Sequence, residues 1–486
     1  MESQTETRDR GGPAIAEFDV IVIGGGAVGE NAADRARQGG LNVVVVEAEL
    51  VGGECSYWAC IPSKVLLRSP QALRSARQVP GAAQAATGAL DVDAVLARRD
   101  SFTSGWRDDG QADWLDGAGI ALIRGHGRIA GPRQVTVTSA EGEQTTLTAR
   151  HAVTIATGSA ASIAPIEGLR EAQPWTSREA TSARAVPKSL AIIGGGVVAT
   201  EMASAYAALG AEVTLLARSG LLGGMEPFAG ELVGKALRAQ GVTLRLNTAP
   251  ERVSRTAEGV RIETSTGDVT RTQEVLAATG RSPRTEDLGL ESIGLNAGAW
   301  IDTDDTMQVP GFDWLYAVGD VTHRALLTHQ GKYQARAAGD VIVARAKGAP
   351  AQDQPWGAHV ATADHAAVPQ VTFTDPEVAS VGLTAAAARE AGHRVRVVDY
   401  QLGDVAGSAL HAEGYSGTAR MVVDEQRRVI LGMTFVGPDV SELLHAATIA
   451  VTAEVPIERL WHAVPAFPTI SEIWLRLLET YGRPGA

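Results

Sequence analysis

Residues 18–49 read FDVIVIGGGAVGENAADRARQGGLNVVVVEAE. Two apolar runs of strand length, rich in Val and Ile, flank a glycine cluster and an Ala- and Arg-rich segment of helical character. Strand, tight turn, helix, strand is the opening of a doubly wound α/β unit. Gly24, Gly26 and Gly29 fill the spacing G-x-G-x-x-G. Gly24 permits the turn, Gly26 lets backbone approach a pyrophosphate, and Gly29 lets helix and strand pack closely. The helix N-terminus aims N–H donors at the phosphates. Glu47 closes the second strand, 21 residues after Gly26, where a carboxylate accepts hydrogen bonds from a ribose. These features predict a dinucleotide site.

The pattern recurs in KSLAIIGGGVVATEMASAYAALGAEVTLLARSG, residues 188–220, with Gly194, Gly196 and Ala199 in G-x-G-x-x-A. Its second strand ends in Leu216, Ala217 and Arg218, so the ribose-binding acid is missing and a cation stands beside the vacancy. That favours a 2′-phosphate, hence NADPH over NADH. TIATGS (154–159) and LAATGR (276–281) echo each other as strands running into Thr-Gly, where the chain crosses between nucleotide domains. LYAVGD (315–320) places Asp320 at the C-terminal end of a strand, where doubly wound sheets bind ligands. From about residue 365 the pattern changes to paired strands and amphipathic helices, an α+β domain without a nucleotide motif.

Composition narrows the partners. A chain of 486 residues exceeds one core. The formal net charge of −13 disfavours nucleic acid or an anionic membrane as main partner. No run of about 18 apolar residues is present, which predicts no membrane span. Residues 1–10 are polar and lack the apolar core of a signal peptide. The expectation is a cytoplasmic protein whose residues 1–17 are a tail.

The only two cysteines, Cys55 and Cys60, stand in GGECSYWACIPSK, residues 52–64. Close pairing suggests redox chemistry or metal binding, and with no further Cys a soft four-ligand metal site lacks donors. In a regular helix residues five apart have Cα atoms roughly 8.7 Å apart. A disulfide needs less than about 7 Å. The pair can bridge only if the segment leaves helical geometry, which Gly52 and Gly53 permit. Thiols at a helix N-terminus form thiolate readily.

These landmarks, in this order, resemble the class I pyridine nucleotide-disulfide oxidoreductases, the family of dihydrolipoamide dehydrogenase, glutathione reductase and mercuric reductase. The resemblance covers residues 18–480 and includes FTDPEVASVGLT (373–384) and the PTISE tail (468–472). It implies two Rossmann-like domains, for FAD and NAD(P), plus a C-terminal α+β dimerisation domain. The expected limits are 18–165 and 286–364 for the FAD domain, 166–285 for the NAD(P) domain and 365–486 for dimerisation. The resemblance implies FAD contacts at Gly24, Gly26, Gly29, Glu47, Gly53, Lys64, Thr157, Gly158, Ser159 and Asp320. It implies NAD(P) contacts at Gly194, Gly196, Ala199, Arg218 and Gly280. Lys64 is expected by the flavin, paired with Glu201. Hydride would pass from nicotinamide to flavin, and electrons then to a Cys55–Cys60 disulfide. Cys60 would be the thiolate nearer the flavin and Cys55 the one that attacks the acceptor. The family's members are homodimers.

The sequence departs from this pattern at Phe467. Disulfide-reducing members carry His-Pro-Thr-x-x-Glu, in which imidazole, with a pKa of about 6.5, shuttles the proton and the glutamate orients it. Here Pro468, Thr469 and Glu472 fit, but a phenyl ring holds the base position. Three explanations stand open. His462 or His445 could serve as base. The acceptor could be a quinone or metal ion that needs no such shuttle, although the second cysteine pair of mercuric reductases is missing. A 2-ketopropyl coenzyme M carboxylase-like reaction also uses phenylalanine there, but with the glutamate replaced.

Overall fold

A computed structural model describes residues 15–483. The chain forms two units. Among the described residues the first comprises 15–55, 107–160 and 282–362, and the second 56–106, 161–281 and 363–483.

In the first unit the strand Ile15–Ile23 lies between Val43–Glu47 and Gln144–Ile155, parallel to both. Ala121–Arg124 extends the sheet on the Val43–Glu47 side. Leu315–Ala317 joins the C-terminal half of Gln144–Ile155 in parallel. The N-terminal half of that long strand pairs with an antiparallel hairpin, Gln134–Thr138 and His126–Gly131. Val43, Val44, Val45 and Val46 are all buried, the continuous apolar run of a strand covered on both faces. Burying each such side chain contributes about 1.5–3 kcal/mol. The first strand begins at Ile15, inside the stretch expected to be tail, because residues 15–17 pair in parallel with residues 146–148, and Glu17 and Asp19 also meet Arg150. Residues 1–14 of the expected tail lie outside the described residues.

The second unit holds a parallel sheet in the order Thr243–Leu246, Glu212–Ala217, Ser189–Ile193, Glu274–Ala277. A three-stranded antiparallel ribbon spans residues 250–272. A five-stranded antiparallel sheet is centred on Val429–Gly437, every residue of which is buried. The helices Leu444–Thr452 and Ile473–Tyr481 contribute Leu444, Ala447, Ile473, Leu477 and Leu478 to the core of that sheet. Ile473, Leu477 and Leu478 of the tail helix, with Trp474 partly buried beside them, are therefore packing. Among the described residues no helix is long and apolar enough to cross a membrane.

Candidate active site

The first glycine turn follows from its sequence by steric necessity. Gly24 has φ +102°, and a Cβ there would sit 2.4 Å from the Ala156 carbonyl oxygen. A Cβ on Gly29 would lie 1.9 Å from the Gly24 oxygen. The helix Ala27–Gln38 starts at Gly26, leaving its first amides without intrahelical partners. Glu47 sits at the end of its strand and binds the turn itself: Gly25 N donates to Oε2 at 2.6 Å and Glu49 N to Oε1 at 2.7 Å. Two oxygens offer about four lone-pair sites, so acceptor capacity remains for a ribose. Burial raises the Glu47 pKa.

Whether FAD fits can be read from these residues. Thr157 Oγ1 and Glu30 Oε1 are buried and have no hydrogen-bond partner among the described residues. Orphaned polar atoms beside open helix amides suit a polar sugar-phosphate ligand. Ser159 Oγ donates to Asp320 Oδ2 at 2.5 Å, which joins two residues far apart in sequence. Arg284 donates to Glu54 Oε1 at 2.9 Å and to the Ser159 carbonyl at 3.3 Å. The residues therefore fit the group. No motif in the sequence singles out Glu30, Glu54 or Arg284. Glu30 is pushed up to about 7, chiefly by burial, with Lys332 opposing and Glu47 reinforcing the shift.

The second turn repeats the first. Gly194 has φ +138°, and a Cβ there would meet the Ala278 oxygen at 2.2 Å. Gly196 faces open space, as backbone approaching a pyrophosphate must. Ala199 is fully buried where helix meets strand. Gly280 follows the strand Glu274–Ala277. Arg218 stands exposed just past Ala217 and forms no ion pair among the described residues.

Cys55 lies in a short helix, Gly53–Tyr57, and Cys60 opens the helix Cys60–Arg77. Trp58 and Ala59 break the helical path, with Ala59 at φ −137° and ψ −96°. The departure from regular geometry that a bridge requires is thus present. Both cysteines are half-buried. Pro62 sits in the first turn of the second helix, where its missing N–H costs nothing. Two residues further, Lys64 Nζ donates to Glu201 Oε2 at 2.8 Å. Glu201 is buried, and Phe373 N donates to its other oxygen at 2.9 Å. The Lys64 ammonium lies 4.9 Å from the Phe373 ring centroid. Sequence marks Phe373 only as the first residue of the landmark FTDPEVASVGLT, with no role beside Lys64.

The tail is built differently. Phe467 is 75% exposed and Val464 86%. Glu472 is buried and ion-paired with Arg476, one helical turn on, and its Oε2 has no partner among the described residues. His462 and His445 are exposed. Among the described residues no group of three or more His, Cys, Asp or Glu could hold a metal ion.

Residues 18–352 match the pyridine nucleotide-disulphide oxidoreductase family, and residues 368–477 match its dimerisation domain. The chain belongs to this family. It is an enzyme of the FAD-dependent, NAD(P)H-linked class, with the two dinucleotide domains and dimerisation domain expected from sequence. It is 31% identical to a mercuric reductase of Staphylococcus aureus over 94% of this chain and 81% of that one. It is 33% identical to a dihydrolipoyl dehydrogenase of Thermus scotoductus over 94% and 95%. The flavoprotein disulfide reductase RclA of Escherichia coli shares the fold, with TM-score 0.81 at 23% identity, covering 95% of this chain and 99% of that one.

Proposed function

We propose that this enzyme takes two electrons from NADPH, in preference to NADH, and delivers them through Cys55 and Cys60 to a disulfide or another small acceptor. The observation that carries the reading is the helix break at Trp58 and Ala59, between the only two cysteines of the chain. Bound FAD would supply two-electron transfer between nicotinamide and dithiol. Gly24, Gly26, Gly29, Glu47, Gly53, Thr157, Gly158, Ser159 and Asp320 would hold it, with Lys64 kept in position by Glu201. Gly194, Gly196, Ala199 and Gly280 would take the nicotinamide dinucleotide, with Arg218 on its 2′-phosphate. Cys55 attacks an acceptor sulfur to form a mixed disulfide, and Cys60 then displaces the bound thiol. Overall NADPH and one proton convert a disulfide into two thiols and NADP+. Phe467 carries no proton, so the proton reaches the leaving thiol from water or another side chain.

A second reading is supported by the tail. Glu472 engages Arg476 rather than an imidazole, which suits a quinone or metal-ion acceptor whose reduction needs no histidine. The exposed Val464 and Phe467 in the dimerisation domain favour a homodimer that covers them. The use of only two cysteines, placed together, favours the reducing cytoplasm as its location.

The test is NADPH oxidation by wild type and Cys55→Ser with lipoamide, glutathione disulfide, quinones and metal ions as acceptors. Disulfide turnover lost in Cys55→Ser supports the dithiol relay. Quinone or metal turnover that survives in the variant, with no disulfide turnover in either protein, sinks it in favour of the second reading.

A further inference from the structure

The helix Ala27–Gln38 carries one acidic residue in its first turn, Glu30. Its backbone amide donates to the Gly26 carbonyl at 3.0 Å, so the backbone there is ordinary helix. Its side chain is not ordinary: Oε1 is buried and has no partner among the described residues. A buried carboxylate oxygen without a donor is costly to keep.

The charged groups around Glu30 come from several elements, and none supplies that donor. Glu47, at the end of its strand, holds the amides of Gly25 and Glu49. Lys332, on the helix Thr328–Ala346 that packs along Ala27–Gln38, attracts Glu30 through charge without a hydrogen bond. Further along that helix Asp340 pairs with Arg35, and Arg336 is exposed. Before it, Asp320 accepts from Ser159. On Glu30's own helix, Asp34 accepts from Gln38 Nε2 at 2.7 Å.

The open amides of this turn suit the sugar-phosphate of FAD. Thr157, whose Oγ1 is also buried without a partner, closes the same turn: a Cβ on Gly24 would lie 3.1 Å from its backbone nitrogen. A carboxylate and a phosphate diester are both negative and both accept hydrogen bonds without donating. Side by side they repel, with no hydrogen between their oxygens. A neutral carboxyl removes the charge and supplies the missing donor, in a bond strengthened by the phosphate's charge.

We propose that Glu30 is a cofactor-binding residue that meets FAD as a neutral carboxylic acid and donates its O–H to an oxygen of the sugar-phosphate, so that binding takes up a proton. The proposal rests on FAD occupying the first glycine turn. The proton comes from solvent, and no bond of FAD is made or broken. In the flavin-free protein burial already brings Glu30 up to about 7, with Lys332 opposing. Negative charge on the cofactor raises it further. Below about 7 the carboxyl is protonated with or without FAD, and affinity is highest. Above that, each FAD bound must bring a proton with it, and affinity falls with pH until the higher pKa of the bound form is reached.

The test uses flavin-stripped full-length protein, with far-UV circular dichroism to report folding. FAD is titrated in buffers spanning about pH 6 to 9, either side of the Glu30 value, with flavin fluorescence reading the Kd. Proton uptake is followed with an indicator dye in weak buffer. Wild type should take up close to one proton per FAD at about pH 8, and its Kd should rise by up to about tenfold per pH unit above about 7. Glu30→Gln, neutral at every pH and still a donor, should take up none and hold FAD at about pH 8 as tightly as wild type does at about pH 6. Glu30→Ala should also bind independently of pH, but about fivefold more weakly than Glu30→Gln, having lost the donor. Wild type that binds FAD without proton uptake would overturn the role of Glu30 alone, and so would a Glu30→Gln protein that takes up as many protons as wild type. FAD that binds equally well to Gly29→Val, whose Cβ would overlap the Gly24 oxygen, would place the cofactor elsewhere and overturn the site as well.

Discussion

The cysteine segment and the C-terminal tail are the two halves of one expected reaction, and they are built to opposite degrees. Around the cysteines side chains are engaged with one another or with backbone: Lys64 with Glu201, Glu201 with Phe373, Trp106 with Tyr57 and Thr181 with Trp58. At the tail Phe467 projects from the surface, and Glu472 pairs with Arg476 on its own helix. Electron-handling groups are positioned and a proton-handling group is not. The difference teaches that the chain departs from the family's pattern at the tail, where Phe467 stands at the expected base position, and not around the cysteines.

The largest expected effect breaks the comparison from the cysteine side. Cys55→Ser removes the attacking sulfur, and steady-state disulfide turnover should fall about a thousandfold or more, since a nucleophile has no substitute. Phe467→His tests the tail. If protonation limits disulfide reduction, this variant should raise kcat/KM by about a hundredfold, with a new pH dependence near about 6.5. An unchanged rate would mean that the proton already has a route. Arg218→Gln extends the comparison to the second nucleotide turn, whose cation faces solvent where the cysteine segment's side chains are paired. KM for NADPH should rise about tenfold with NADH unaffected, the worth of one charge-assisted bond.

The smallest effect concerns Glu30. Its carboxyl is raised from 4.5 to about 7 by burial. A raised folded-state pKa gives stability that is complete below the unfolded value and lost as pH rises through the folded one. Flavin-stripped protein should therefore lose melting temperature between about pH 4.5 and 7, and Glu30→Gln should flatten that slope. A Glu30→Gln profile parallel to wild type would place the pH dependence elsewhere.

Local chemistry explains what is legible in the sequence. Both glycine turns can be read there because each is a motif of fixed spacing on a parallel sheet; the pairing of Lys64 with Glu201 is implied by the family resemblance, and the Ser159–Asp320 hydrogen bond comes from the structure. The need for a broken helix between the cysteines follows from helix geometry alone. Residues 15–17 read as tail but form strand, because the segment they pair with, residues 146–148, is over a hundred residues away.

Sequence by itself determined the two dinucleotide turns and the position of the thiols, which depend on residue type and short spacing, while the cofactor class and the departure at Phe467 are legible through the family resemblance. Tertiary structure alone decided which side chains meet the carbonyls of Tyr57 and Trp58 and where Glu472 turns. Arg99, Trp106 and Thr181 are spread over residues 99–181, and nothing in the types or spacing of such residues marks them as neighbours. The donor that meets a carbonyl at such a turn is chosen by the packing of other elements.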